Sequence, residues 1–328
     1  MVMGKTIAAG EEARKTPLRG GFWLVVLGAA LWGVDPLFRI LLLKSLTSSQ
    51  IVLLEHVVLF LAAAPVLWRR RAELKRIRLR HAGALLFVSW GGSAVATILF
   101  TQALSSGDLN AVILLQKLQP LFAIGLAAVI LKERLPRYFL PLLLLALAGT
   151  YLLTFGWSMP FGHAGSFVTA GSALALGAAA LWGGSTVMGR YLLGTMQYET
   201  VTSLRFMLAL PLLLVITLSQ GAPWQLNGGL GTSALISLNL LLQALLPGLL
   251  SMLLYYRGLS TTKASFATLA ELSFPMTSLV LNWAVYGQLV TWAQLLGFVL
   301  IWTALFAISA QQKEQAEPAA QVELRKIS

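Results

Sequence analysis

The sequence predicts an all-α polytopic membrane protein, with ten transmembrane helices arranged as two inverted five-helix repeats. Three observations predict it. Of 328 residues, 57% are hydrophobic and only 11% are charged, where a soluble domain carries roughly 25% charged residues. Ten apolar stretches are each long enough, at about 20 residues, to cross a bilayer. The first five of these stretches resemble the last five in pattern and in the register of a proline.

Residues 1–20 carry Lys5, Arg14, Lys15 and Arg19 and read as a cytoplasmic segment. The apolar run behind them exceeds the ~7–15 residues of a signal-peptide core, so it reads as a retained first span. The spans fall at about 21–43, 49–68, 82–103, 110–131, 137–155, 166–193, 200–219, 233–256, 264–286 and 290–310. The repeats are then residues 21–155 and 166–310. The polar stretch QQKEQAEPAAQVELRKIS, 311–328, reads as a disordered cytoplasmic tail.

With both termini inside, all Lys and Arg except Arg39, Lys44, Lys117 and Arg205 fall in cytoplasmic segments or at cytoplasmic helix ends. This is the positive-inside bias of a bacterial inner-membrane protein. It accounts for the net charge of +12 and removes nucleic acid as the reading of WRRRAELKRIRLR. There is no cysteine, hence no disulfide and no thiol nucleophile. No catalytic or nucleotide-binding motif appears, so neither an enzyme, a cofactor nor a metal is expected.

GAALWG (28–33) recurs as AAALWG (178–183) at an offset of 150, and IVLLEH (51–56) falls on VTSLRF (201–206). LFTQALSSGDLNA (99–111) falls on LYYRGLSTTKASF (254–266) at an offset of 155, which also places Pro120 on Pro275. Five spans per repeat force the halves into opposite orientations, the plan of secondary transporters with a site at the repeat interface.

These stretches, with LKERL (131–135) closing span four, resemble the EamA branch of the drug/metabolite transporter superfamily over about residues 20–310. The resemblance implies a central cavity walled by spans 1–4 and 6–9, with spans 5 and 10 outside it. It also implies a monomer, or a homodimer through spans 5 and 10, that exports small metabolites or drugs.

Few ionisable residues lie inside the spans: Asp35, Arg39, Glu55, His56, Lys117, Arg205 and Glu271. Each is costly in lipid and must face protein or water. Glu55 on span two faces Lys117 on span four in sign, and Arg205 on span seven faces Glu271 on span nine. Two ion pairs are therefore expected, one near each mouth, acting either as gates or as fixed packing pairs. Asp35 and Arg39, four residues apart, share a helix face. Arg39 can snorkel, while Asp35 is a candidate for contacting a substrate amine or carrying a proton. Pro36, Pro120 and Pro275 are expected hinges, because each removes a backbone donor.

Thr268, Glu271, Pro275, Ser278 and Asn282 recur at helical spacing on span nine. Asn110, Gln116 and Pro120 do so on span four, so these two helices are expected to wall the cavity from opposite sides. Trp32 and Trp182, the repeated tryptophans, and Ser185 complete the candidate substrate contacts. Mixed-sign charges favour an amino acid or similar zwitterion, exported by alternating access, with a proton as candidate coupling ion. A multidrug or nucleoside exporter of the same fold is the alternative, and a lipid scramblase or channel the alternative from another class.

Overall fold

The computed structural model describes residues 20–75, 77–106, 112, 115–158, 170–224, 230–287 and 289–327. Among them, every regular element is helical. Eight helical stretches are long and apolar enough to cross a membrane: Gly21–Arg39, Ser48–Arg69, Leu79–Phe100, Ala170–Leu193, Tyr198–Ser219, Ser233–Leu259, Ala264–Val285 and Trp292–Gln311. Two more apolar helices, Gln119–Ile130 and Phe139–Phe155, are shorter. These correspond to the expected fourth and fifth spans. Asn110 and the N-terminal segment 1–19 lie outside the described residues.

The first span is broken. α1 (Gly21–Trp32) ends at Gly33 and α2 (Asp35–Leu42) begins two residues later, with Pro36 in its first turn. Proline is at home there, since the first turn's N–H groups have no helical partner. The same local rule operates twice more. α6 (Gln119–Ile130) starts one residue before Pro120, after a turn at Lys117–Leu118. In span nine, α12 (Ala264–Ala270) gives way to a 3-10 turn at Glu271–Ser273, and α13 (Phe274–Tyr286) begins one residue before Pro275. All three expected hinge prolines therefore mark the second residue of a helix that restarts inside a span.

The other elements are α3 (Ser48–Arg69), then α4 (Leu79–Leu86) and α5 (Ala96–Ser106) joined by a π-helix at Phe87–Val95. α7 (Phe139–Phe155), α8 (Ala170–Leu193) and α9 (Tyr198–Ser219) follow. α10 (Leu230–Gln243) and α11 (Ser251–Leu259) are joined by a second π-helix at Ala244–Leu250. α3 opens with a capping box, in which the Gln50 N–H donates to the Thr47 hydroxyl and the Thr47 N–H to the Gln50 side chain. α14 runs from Trp292 to Ile327. This helix runs on into the stretch 311–327, whose Ala, Gln, Glu and Lys are good helix formers.

The packing repeats as the sequence repeats. α1 lies on α11, and α8 lies on α5. α1 also runs along span nine, and α8 along α6. Equivalent helices also pack on one another: α3 with α9, α7 with α14, and α6 with α12. The two π-helices fall on one another at the offset of 155, and π-bulges of this kind cluster at functional sites. The core is apolar and small-residue rich, while Leu61, Leu144, Val215, Val280 and Phe306 face outward, as lipid contact requires.

The glycine that closes each ALWG sequence explains why the sequence recurs. A Cβ on Gly33 would stand 2.7 Å from the Phe274 carbonyl oxygen. A Cβ on Gly183 would stand 2.9 Å from the Gln119 carbonyl oxygen. Phe274 and Gln119 are the equivalent first residues of α13 and α6. Each repeat thus uses one glycine to seat a helix of the other repeat where that helix restarts.

Spans five and ten meet the same way. A Cβ on Gly149 would lie 2.8 Å from the Gly297 carbonyl oxygen. The faces they turn to each other are used within one chain.

Candidate functional site

Just beyond the break in span one, Asp35 and Arg39 lie side by side, four residues apart on α2. Arg39 donates from Nε to Asp35 Oδ2 at 2.6 Å and from a terminal nitrogen to Asp35 Oδ1 at 2.9 Å, a two-point fork. The same guanidinium lies 3.4 Å from Glu55 on α3. Gln243, fully buried at the end of α10, reaches both carboxylates, with its amide nitrogen 3.1 Å from Asp35 and 3.5 Å from Glu55. This cluster joins spans one, two and eight.

A second cluster lies at the break in span nine. Glu271 accepts hydrogen bonds from Tyr255 at 2.6 Å, Thr186 at 3.0 Å and Gln119 at 2.6 Å. Four spans meet on this carboxylate, one of them from the first repeat. Tyr255 also faces Trp32, with ring centroids 5.0 Å apart. The equivalent couple in the other half is Trp182 and Phe100 at 5.5 Å. The Trp182 indole N–H donates to the Gly92 carbonyl at 3.0 Å, inside the first π-helix.

Arg205 forms a third cluster. It donates to Ser93 at 2.8 Å, to the Tyr256 hydroxyl at 2.8 Å and to Ser185 at 3.4 Å. Tyr255 and Tyr256 are adjacent, so the two clusters are linked through α11.

The expected ion pairs are not those formed. Glu55 takes Arg39, not Lys117, at 3.4 Å. The Lys117 ammonium instead lies 4.8 Å from the centroid of the Phe274 ring. Arg205 and Glu271 are each satisfied by neutral hydroxyl and amide groups. Among the described residues no ion pair joins either expected couple.

Spans four and nine also do not stand apart across a cavity. They touch, through Gln119 and Glu271. Gln116 is half-buried on the turn before the break. Gln119, beyond the turn at Lys117–Leu118, makes the contact to Glu271.

The remaining expected contacts divide. Thr268 is fully buried. Ser278 donates to the Gly33 carbonyl at 3.4 Å, which makes it a packing contact with span one. The side chain of Asn282 and the ring of Pro36 lie outside the described residues. A cavity of about 200 Å³ is lined by Lys117, Leu118, Leu147, Thr150, Tyr151, Thr154 and Phe155, beside the break in span four.

Four residues that pattern reading passes over carry polar contacts: Gln119, Thr186, Gln243 and Glu133. Glu133, in the LKERL stretch, caps α12 by accepting from the Ala264 and Ser265 N–H groups at 2.8 and 3.0 Å. It also takes the Ser265 hydroxyl at 2.6 Å. A glutamate directly behind span four, opposite a lysine-alanine-serine helix start, was the available signal.

Paired helix breaks, two related halves and polar clusters between them define a helical membrane transporter of the two-repeat kind. The chain belongs to the EamA-like transporter family, which matches residues 19–155 and again 169–310. It is 33% identical over 296 residues to the riboflavin transporter ImpX of Fusobacterium nucleatum subsp. nucleatum, an alignment covering 88% of this chain and 97% of that one. A crystal structure of another protein shares the fold, with a TM-score of 0.72 at 17% identity, over 90% of this chain and 98% of the other.

Proposed function

We propose that the protein is a secondary transporter for a flat, hydrogen-bonding heteroaromatic metabolite of the riboflavin type. It works by alternating access between two inverted five-helix repeats in a bacterial inner membrane. Both termini lie on the cytoplasmic side, in keeping with the distribution of Lys and Arg.

The observation that carries this reading is the Trp32–Tyr255 couple, one hydrogen bond away from Glu271. An incoming ring system meets aromatic faces, which favour offset stacking. At its edge it meets a carboxylate that accepts an imide N–H and an amide, Gln119, that can face a ring carbonyl. The name of the 33% identical relative points the same way. Sites of this composition, apolar walls with a few placed polar groups, are the usual form of small-molecule pockets.

The zwitterion reading rests on free charges of both signs. Arg39 is already shared by Asp35 and Glu55, and Arg205 is held by three hydroxyls. Neither arginine is left to receive an amino-acid carboxylate, and the amino-acid export expected from the sequence gives way to the flavin.

The test is counterflow in proteoliposomes loaded with unlabelled riboflavin. Labelled riboflavin is expected to accumulate transiently, and an amino-acid or nucleoside load is expected to give none. Exchange of an amino acid with no exchange of riboflavin overturns the assignment and restores the zwitterion.

A further inference from the structure

We infer that Glu55 is a proton-binding site that couples transport to the proton gradient, formed with Arg39, Asp35 and Gln243. This rests on the reading of the protein as a secondary carrier, and not on riboflavin as its cargo.

The argument begins with the charge count. Asp35 and Glu55 contribute two negative charges to the cluster and Arg39 one positive charge. Arg39 gives its fork to Asp35, at 2.6 and 2.9 Å. Glu55 receives only what is left, a guanidinium nitrogen at 3.4 Å and an amide nitrogen at 3.5 Å. Both contacts are at the long end for a hydrogen bond. Glu55 is 9% exposed. A buried carboxylate so weakly held carries a desolvation cost that one bound proton removes.

The amide beside it supplies the second, independent observation. Gln243 is fully buried, and its Oε1 has no hydrogen-bond partner among the described residues. Orphaned buried acceptors are rare. The cluster offers that oxygen no donor while both carboxylates are ionised. A proton on Glu55 creates one. Asp35 keeps both bonds from Arg39, and the cluster passes from net −1 to neutral.

The other repeat is an internal control. At the offset of 150, Glu55 corresponds to Arg205. That position also carries a charge, but two hydroxyls hold it at 2.8 Å, and a guanidinium cannot shed its charge by binding a proton. The asymmetry singles out the Glu55 side.

The groups facing Glu55 are few. Span one presents Asp35 and Arg39, and span eight presents the uncharged Gln243. Arg205 on span seven is turned to Ser93 and Tyr256. His56, next in sequence, is turned to the Val52 carbonyl at 2.9 Å and to the Phe206 ring. The proton site lies where span one breaks and span eight turns π-helical. Both are backbone irregularities of the type that transporters use to hold coupling ions.

The experiment has two arms on the full-length protein in lipid. In the first, infrared difference spectra between acid and alkaline buffer read protonated carboxyl groups without any substrate. The wild type and Glu271→Gln are expected to show a titrating carboxylic-acid band that Glu55→Gln lacks. A band unchanged in Glu55→Gln overturns the proposal.

Should Glu55→Gln fail to fold, Glu55→Asp decides. Its band must titrate at a shifted pH, and a profile superimposable on the wild type overturns the assignment.

In the second arm, riboflavin uptake into proteoliposomes is compared with and without an imposed pH gradient. The ratio is expected to exceed one in the wild type, fall to one in Glu55→Gln and recover in Glu55→Asp. A sodium gradient that drives uptake where a proton gradient does not also overturns it. If the wild type does not move riboflavin at all, the flavin reading fails and the infrared arm decides the proton site alone.

Discussion

The Gln119 amide donates to the Glu271 carboxylate at 2.6 Å, and this bond ties the first repeat to the second at two helix breaks. Both residues stand just ahead of the proline at which a span restarts. The bond therefore reports directly on whether spans four and nine are together or apart.

Gln119→Leu removes this donor and leaves Glu271 with Tyr255 and Thr186. Loss of one partner from a buried polar group costs about 1–3 kcal/mol. A melting temperature lowered in detergent, together with impaired riboflavin counterflow, is the expected result. Gln119→Glu sets two carboxylates against each other and is expected to be worse on both measures.

Gly183→Ala tests the close approach behind that bond. The added methyl meets backbone, the Gln119 carbonyl oxygen and the Ala123 nitrogen, each at 2.9 Å. Backbone cannot swing aside, so α6 must shift at a cost of about 1–3 kcal/mol. Transport is expected to fall more than it does for Ala180→Gly, a change on the same helix, assayed in parallel.

Arg205→Lys keeps the charge and loses the fork. One ammonium cannot reach Ser93, Ser185 and Tyr256 in the geometry the guanidinium spans. The rate of counterflow is expected to drop by about tenfold, equivalent to ~1.4 kcal/mol. Equal rates in the two proteins would show that the charge alone matters.

Glu133→Ala uncaps α12. Two N–H groups and one hydroxyl lose their acceptor, and loss of a helix N-cap costs about 0.5–2 kcal/mol. Increased hydrogen exchange over residues 264–270 is expected, along with a lower melting temperature. Glu133→Gln retains one acceptor oxygen and is expected to fall between the two.

The sequence by itself determined the membrane, the helices and the repeat. A charge is so costly in lipid that composition alone declares a bilayer protein, and the recurrence of ALWG and of the proline register declares two related halves. It also picked out charged residues that the fold gathers into polar clusters, Asp35, Arg39, Glu55, Arg205 and Glu271. Their partners were decided only in three dimensions.

Helical periodicity assumes an unbroken helix. The polar contact to Glu271 falls to Gln119, beyond the turn at Lys117–Leu118, and the packing of span one carries the Asp35–Arg39 pair to Glu55. Gln243 and Thr186 sit in ordinary apolar runs, where a lone amide or hydroxyl has no periodic signal. Which groups meet depends on how breaks in one repeat seat against glycines in the other. That is a property of packing between segments about 150 residues apart in sequence, and tertiary structure alone supplies it.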